Sequence, residues 1–171
     1  MYDSKIDTLN HKDKVKKYMH MIGWEMIERG FDHDNSKLES PEKEIFDEYS
    51  PKLSNTTYGS DEYKKFLKEM QVALNHHYEN NDHHPEYFSL RYKKKNTEKP
   101  YFKGLSGMNL LQLTEMITDW YASSQRHEDG DIFKSIEINQ KRFGYSDEIK
   151  LILINTINYL QEKEKNIKKN E

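Results

Sequence analysis

Cysteine is absent from the 171 residues. Its absence removes disulfides, thiolate nucleophiles and cysteine-held zinc together, and leaves histidine and carboxylate as the strong metal ligands. This usage fits a reducing cytoplasm. Proline and glycine are scarce, at four and seven, and strand-like alternation is hard to find. Long hydrophobic runs are missing too: "LILI" at 151–154 falls far short of the roughly 20 residues of a membrane span. The opening "MYDSKIDTLNHKDKVKKYMH" is too charged for a signal peptide, so a soluble cytoplasmic protein with no membrane partner is expected. Positive charge is not in excess either. With a net charge of −3 and a pI near 6.3, the overall field does not draw a phosphate backbone, and general nucleic-acid binding is not expected. A small anionic substrate at a local positive site remains compatible with this balance.

What is present is bulky. Hydrophobic residues make up only 34%, but twelve Tyr, seven Phe, seven Met and two Trp supply core material, and the length suits one domain spanning 1–171. Apolar residues recur at three- and four-residue spacing, which predicts an all-α fold. The first helix is expected from about residue 5 to 29, with Leu9, Val15, Tyr18, Ile22 and Met26 on a buried stripe and Gly30 as its stop. "HDNSK" at 33–37 opens the next helical region, and Pro41 with "EKE" starts a helix that "SPKLSNTTYGS" should break. Ser60 caps another helix with Asp61 and Glu62 in its first turn. Residues from Tyr78 to about Gly107 form a polar segment, taken as a lid or site lining. Helices follow from Asn109, across "DIFKSIEINQKRF", and from Ser146. The motif-bearing core runs over about 5–160, and the Lys-rich tail 161–171 is expected to fray.

Helical periodicity sorts the eight histidines. His11 shares the stripe of Val15, Tyr18 and Ile22 and is expected to face inward, whereas His20 points to the opposite side. His20 and His127, the latter in the "QRHEDGD" turn, read as surface histidines. His77 continues the row Tyr63, Phe66, Met70, Leu74, with His76 at its edge. Asp119 lies between Met116 and Trp120 in an apolar helix, where a lone carboxylate is costly to bury unless paired or metal-bound. Three segments therefore aim His or Asp inward, and His33-Asp34 supplies two more such groups at a helix start.

His11, then His33-Asp34, then Asp119 follow the H…HD…D order of the HD-domain superfamily of metal-dependent phosphohydrolases, which this chain resembles in motif order over about residues 11–119. Lys37 after "HD", and His76-His77 with His83-His84 beyond, are similar to family versions that hold two metals. "HHYENNDHHPEY" also resembles a stretch of small phage and bacterial proteins with "HH..N.HHPE". One departure stands out, because only six positions separate His77 from His83, fewer than in two-metal relatives. One or two ions are thus both open.

The resemblance implies an HD-like helical bundle and a divalent ion (manganese, iron, zinc or magnesium) held by His11, His33, Asp34 and Asp119. Imidazole nitrogen and carboxylate oxygen from helices distant in sequence can converge on such an ion in a bundle core. It further implies Asp34 as a ligand able to bridge two ions, Lys37 toward phosphate oxygens, and His77 and His84 as second-metal or substrate ligands. His76, His83, Arg91 and Arg142 are weaker substrate candidates, and Glu79 would orient a ligand or water. The expected function is hydrolysis of a small phosphorylated compound, a nucleotide or cyclic nucleotide by family likeness. A di-iron oxygenase and a non-catalytic metal-binding interaction module are the alternatives. The basic run "RYKKKNTEK" reads as a solvated loop.

Overall fold

The structure, a computed structural model, describes residues 2–57, 59–89, 104–126 and 130–169. Every regular element among them is helical, and no strand occurs. The chain groups into two compact units, Met1–His33 and Asp34–Glu171.

The first unit is one 28-residue helix, α1 (Lys5–Asp32), with no buried residue. The expected stripe is not buried: Leu9, Val15, Tyr18 and Ile22 are each about half exposed or more, only Met26 is half-buried, and His11 is exposed. A single helix can line up its apolar side chains but cannot enclose them, because burial needs a facing element and this unit contains none. Gly30 does not stop α1 either. The helix continues to Asp32 and the chain leaves it at His33 (φ −52°, ψ 125°).

The second unit begins with a 3-10 turn (Asn35–Leu38), followed by α2 (Glu42–Ser54), α3 (Asp61–Glu69), α4 (Gln71–Asn80), α5 (Leu110–Ser124), α6 (Ile132–Phe143) and α7 (Asp147–Lys168). Residues 85–89 are also helical. Local chemistry sets several starts. Ser60 accepts from the Tyr63 amide, Asp131 from Phe133 and Lys134, and Ser146 from Ile149. Asn109 and Gln112 close a reciprocal capping box ahead of α5. Gly144, at φ 69°, ends α6 in the left-handed conformation that a side chain would disfavour.

Two expected breaks moved. α2 runs through Pro51 to Ser54, since proline's fixed φ suits a helix and the carbonyl it leaves unpaired belongs to exposed Asp47. The Tyr63-to-His77 row is divided at Met70, which closes α3 and opens α4 (φ −80°, ψ 8°) and is fully buried. The last helix extends to Lys168, beyond the expected onset of fraying; the Tyr121 hydroxyl donates to Glu164 at 2.9 Å along that stretch.

The main core lies where α5, α6 and α7 meet, around Ile117, Ile132, Ile136, Tyr145, Leu153 and Ile157, with Trp120 and Phe143 packed against it. The spacings 132/136 and 153/157 put each pair on one helical face, as the sequence periodicity requires. Met70 and Ala73 are buried in the α2–α4 group. Between the two groups, residues 81–89 are fastened by polar contacts: Gln112 donates to Asp82 at 2.6 Å, and Arg142 to Glu86 at 2.5 Å.

Candidate metal centre

Asp34 precedes the 3-10 turn, His77 sits in the last turn of α4, and His83 and His84 follow in the turn before residues 85–89. One ligand atom from each of these four residues lies within 4.8 Å of the others. Asp34 Oδ1 is 3.3 Å from His77 Nε2 and 3.5 Å from His83 Nε2, while His77 Nε2 and His84 Nε2 are 2.8 Å apart. Ligands about 2.1 Å from a common ion are separated by about 3.0–3.4 Å along a coordination edge, so the donor atoms already stand near those spacings. His77 and His83 are each only 2% exposed.

Carboxylates set the orientation of two imidazoles from behind. Glu42, the first residue of α2 and fully buried, lies 2.7 Å from His76 Nδ1 through one oxygen and 2.8 Å from His77 Nδ1 through the other. Glu115 on α5 stands 3.1 Å from His83 Nδ1. In the tautomer with its proton at Nδ1, each imidazole presents its Nε2 lone pair toward Asp34, the arrangement in which histidine coordinates a metal. Asn81 donates to Ser36 Oγ at 2.7 Å and to the His77 carbonyl at 2.9 Å, which ties the 3-10 turn to the end of α4.

The charge states agree with this geometry. Burial alone would push the Asp34 carboxyl up, yet the neighbouring His83 and the adjacent Lys37 ammonium outweigh that and hold it well below the usual carboxylate range. Burial pushes the His84 imidazole well below its ordinary value, reinforced by His83 and His77 and opposed by Asp119 and Asp34. Burial and Lys37 also lower His77, against Asp34 and Glu42. The centre therefore offers an anionic oxygen at Asp34 and imidazoles at His77 and His84 shifted toward the neutral form, the forms that bind a cation.

Asp34 has φ 59° and ψ 17°, the one non-glycine residue with positive φ among those described. Aspartate tolerates this left-handed region better than most residues, at a cost on the order of 1 kcal/mol. Lys37 lies 2.5 Å from Asp34 Oδ2 and 5.1 Å above the Phe46 ring. It steadies the carboxylate while the other oxygen faces the histidines.

The matching family model covers residues 1–166 and describes a family of unknown function, DUF5662. The chain belongs to DUF5662. No curated protein and no solved structure matches it.

In this DUF5662 chain the candidate residues are regrouped relative to the sequence expectation. Asp34 gathers with His77, His83 and His84, so the supposed second-ion histidines stand with the HD aspartate. His83 and Asp119 also offer atoms within 4.8 Å of each other. His76 is held by Glu42 and is partly exposed. His11 is exposed on α1, and His33 ends that unit one peptide bond before Asp34. Arg91, His127 and the basic run lie outside the described residues, as do residues 90–103 of the expected lid. Glu42 and Glu115 were missed, though Glu115 lies four residues before Asp119 on α5 and so shares its face. Glu42 reads in sequence only as a charge complementing a helix N-terminus.

A cavity of about 270 Å³ adjoins the centre, with His84 and Asp119 in its wall. α5 contributes Trp120 and α6 contributes Lys134, Asn139 and Arg142. Tyr78, Glu86 and Arg142 also border a second hollow.

Proposed function

We propose that the protein binds a divalent metal ion through Asp34, His77, His83 and His84, and hydrolyses a small phosphoester with it. The observation that carries this reading is the buried convergence of three imidazoles and a carboxylate, two of the imidazoles backed by carboxylates, beside an open cavity. All four donors are nitrogen or oxygen, which suits manganese, iron or zinc, and four ligands leave positions open on an octahedral ion. Asp119, beside His83, is the further candidate ligand for a second ion. When bound, such an ion supplies Lewis acidity, polarising a phosphoryl oxygen and acidifying water.

The chain's own residues contribute position and charge. Glu42 and Glu115 fix the imidazoles, Lys37 keeps Asp34 ionised, and the cavity gives a substrate access to the His84 and Asp119 side. The same donor set would serve a di-iron oxygenase or a non-catalytic metal-binding module, and iron content with dioxygen consumption distinguishes the oxygenase from the hydrolase.

Elemental analysis of purified protein, followed by phosphate-release assays with each divalent ion, tests the proposal. Asp34→Asn is the informative variant, because asparagine also tolerates the left-handed backbone and the fold should persist. The expected result is about one or more ions per chain and turnover in the parent protein, both lost in Asp34→Asn and retained in His20→Ala. A metal-free parent protein, or an Asp34→Asn variant with full metal and activity, would sink the reading.

A further inference from the structure

The cavity wall has a chemistry of its own, beyond its contact with the metal centre. On α6, Lys134, Ser135, Ile138, Asn139 and Arg142 follow three- and four-residue spacing and face the same hollow. Two of them are cations. Lys134 is exposed and has no ion-pair partner among the described residues. Arg142 is bound to Glu86 at 2.5 Å and lies over the Phe143 ring at 4.8 Å. Facing them from α5 is Trp120, whose indole stacks nearly parallel to Phe143 (6.2 Å, 12°) and is thereby fixed in orientation.

Asn139 is the unusual member. It is 4% exposed, and the side-chain hydrogen bond shown for it is a long one, 3.4 Å to Ser135 Oγ. Burying an amide with so little compensation is costly unless another polar group meets it. Here the amide borders a cavity that also holds two cations, the carboxylates of Glu86, Asp119 and Asp131, and a flat aromatic wall.

We infer that this cavity is the substrate site and takes a phosphomonoester whose alcohol part carries a flat ring with a polar edge. The phosphate is drawn by Lys134 and Arg142 toward the His84 and Asp119 side, the ring lies against Trp120, and Asn139 reads its polar edge. That the ligand is a substrate rests on the metal reading above; that the cavity binds such an anion does not. In the hydrolysis, water adds to phosphorus as the ester P–O bond breaks, and the ring-bearing alkoxide leaves with the proton that water gives up, so the products are alcohol and inorganic phosphate.

Trp120 supplies the readout. A Trp24→Phe background leaves Trp120 as the one indole in the chain, and phenylphosphonate, which resists hydrolysis, is the probe. Phenylphosphonate should quench Trp120, whereas methylphosphonate, without a ring, and benzyl alcohol, without charge, should bind at least about tenfold more weakly, the loss expected for one good charge-assisted or stacking contact. Lys134→Ala and Arg142→Ala should each weaken phenylphosphonate about tenfold. Asn139→Leu should erase the preference for 4-aminophenylphosphonate over phenylphosphonate. Circular dichroism confirms that each variant folds.

Equal binding of benzyl alcohol, or unchanged affinity in both cation variants, overturns the inference. Metal content measured on the same samples separates the two claims. Full metal with no ring-anion binding sinks the cavity alone, whereas ring-anion binding in a protein that takes up no metal sustains the site and sinks the hydrolase reading.

Discussion

Glu42 touches no candidate substrate, yet two imidazoles depend on its two oxygens. Such a carboxylate fixes which nitrogen of His77 carries the proton and where the other points, and losing a partner of this kind costs roughly tenfold to a hundredfold in metal affinity. Glu42→Gln keeps the shape and one acceptor oxygen, but its amide would meet one imidazole N–H donor to donor. Chelator-competition titrations should show that loss, with thermal stability changed far less than affinity; an unchanged affinity would remove Glu42 from the site. Asp34 and Lys37 show why some of this was legible from the chain. The adjacency of His33 and Asp34 and the lysine three residues on are visible as spacing, and they single out Asp34, around which His77, His83 and His84 gather. Its left-handed backbone and the pairing of Lys37 with its carboxylate are not visible, because both arise only when the 3-10 turn docks on α2 and α4.

A buried phenol ties the link between α6 and α7 back onto α6. The Tyr145 hydroxyl donates to the Ile136 carbonyl at 2.5 Å, and burial pushes the phenol above its ordinary value. A proton that the fold retains and the unfolded chain releases stabilises the fold below the unfolded value near pH 10, and that contribution is lost as pH rises beyond it. Tyr145→Phe should cost about 1 kcal/mol at pH 8, the net worth of a typical hydrogen bond. Urea titrations at pH 8 and 11 should show the gap between variant and parent shrinking at the higher pH. Helix starts were the most readable elements, since Ser60, Asn109, Asp131 and Ser146 announce themselves by side-chain chemistry next to apolar periodicity. The divisions were not: Met70 fits a continuous stripe, and only tertiary packing makes it the corner between α3 and α4. Pro51 misled in the other direction, as a proline at an exposed position is cheaper than its reputation.

Across the whole chain, buried residues among those described belong to the second unit, while α1 carries apolar residues at helical spacing without burying any. Periodicity states which side chains share a face, never whether that face meets a neighbour, and this is why His11 was expected inside and is exposed. The same limit explains the ligand set. Motif order connects residues along the chain, whereas Asp34 and His83 meet because residues 81–89 are fastened to both helical groups. Ligand linkage then predicts a global effect: an ion present at a hundred times its dissociation constant adds about 2.7 kcal/mol to unfolding. Chelator-treated protein should melt at a lower temperature, recover on adding the ion, and show no such recovery as Asp34→Asn.

His84 and Glu86 flank a single buried proline. One belongs to the metal centre and the other grips Arg142. An anion that competed for Arg142 would therefore tug on the short stiff link that carries His84, a candidate ligand. Cargo and ion share a lever, so changing the electrostatics at one end should retune coordination at the other without any large motion of the helices.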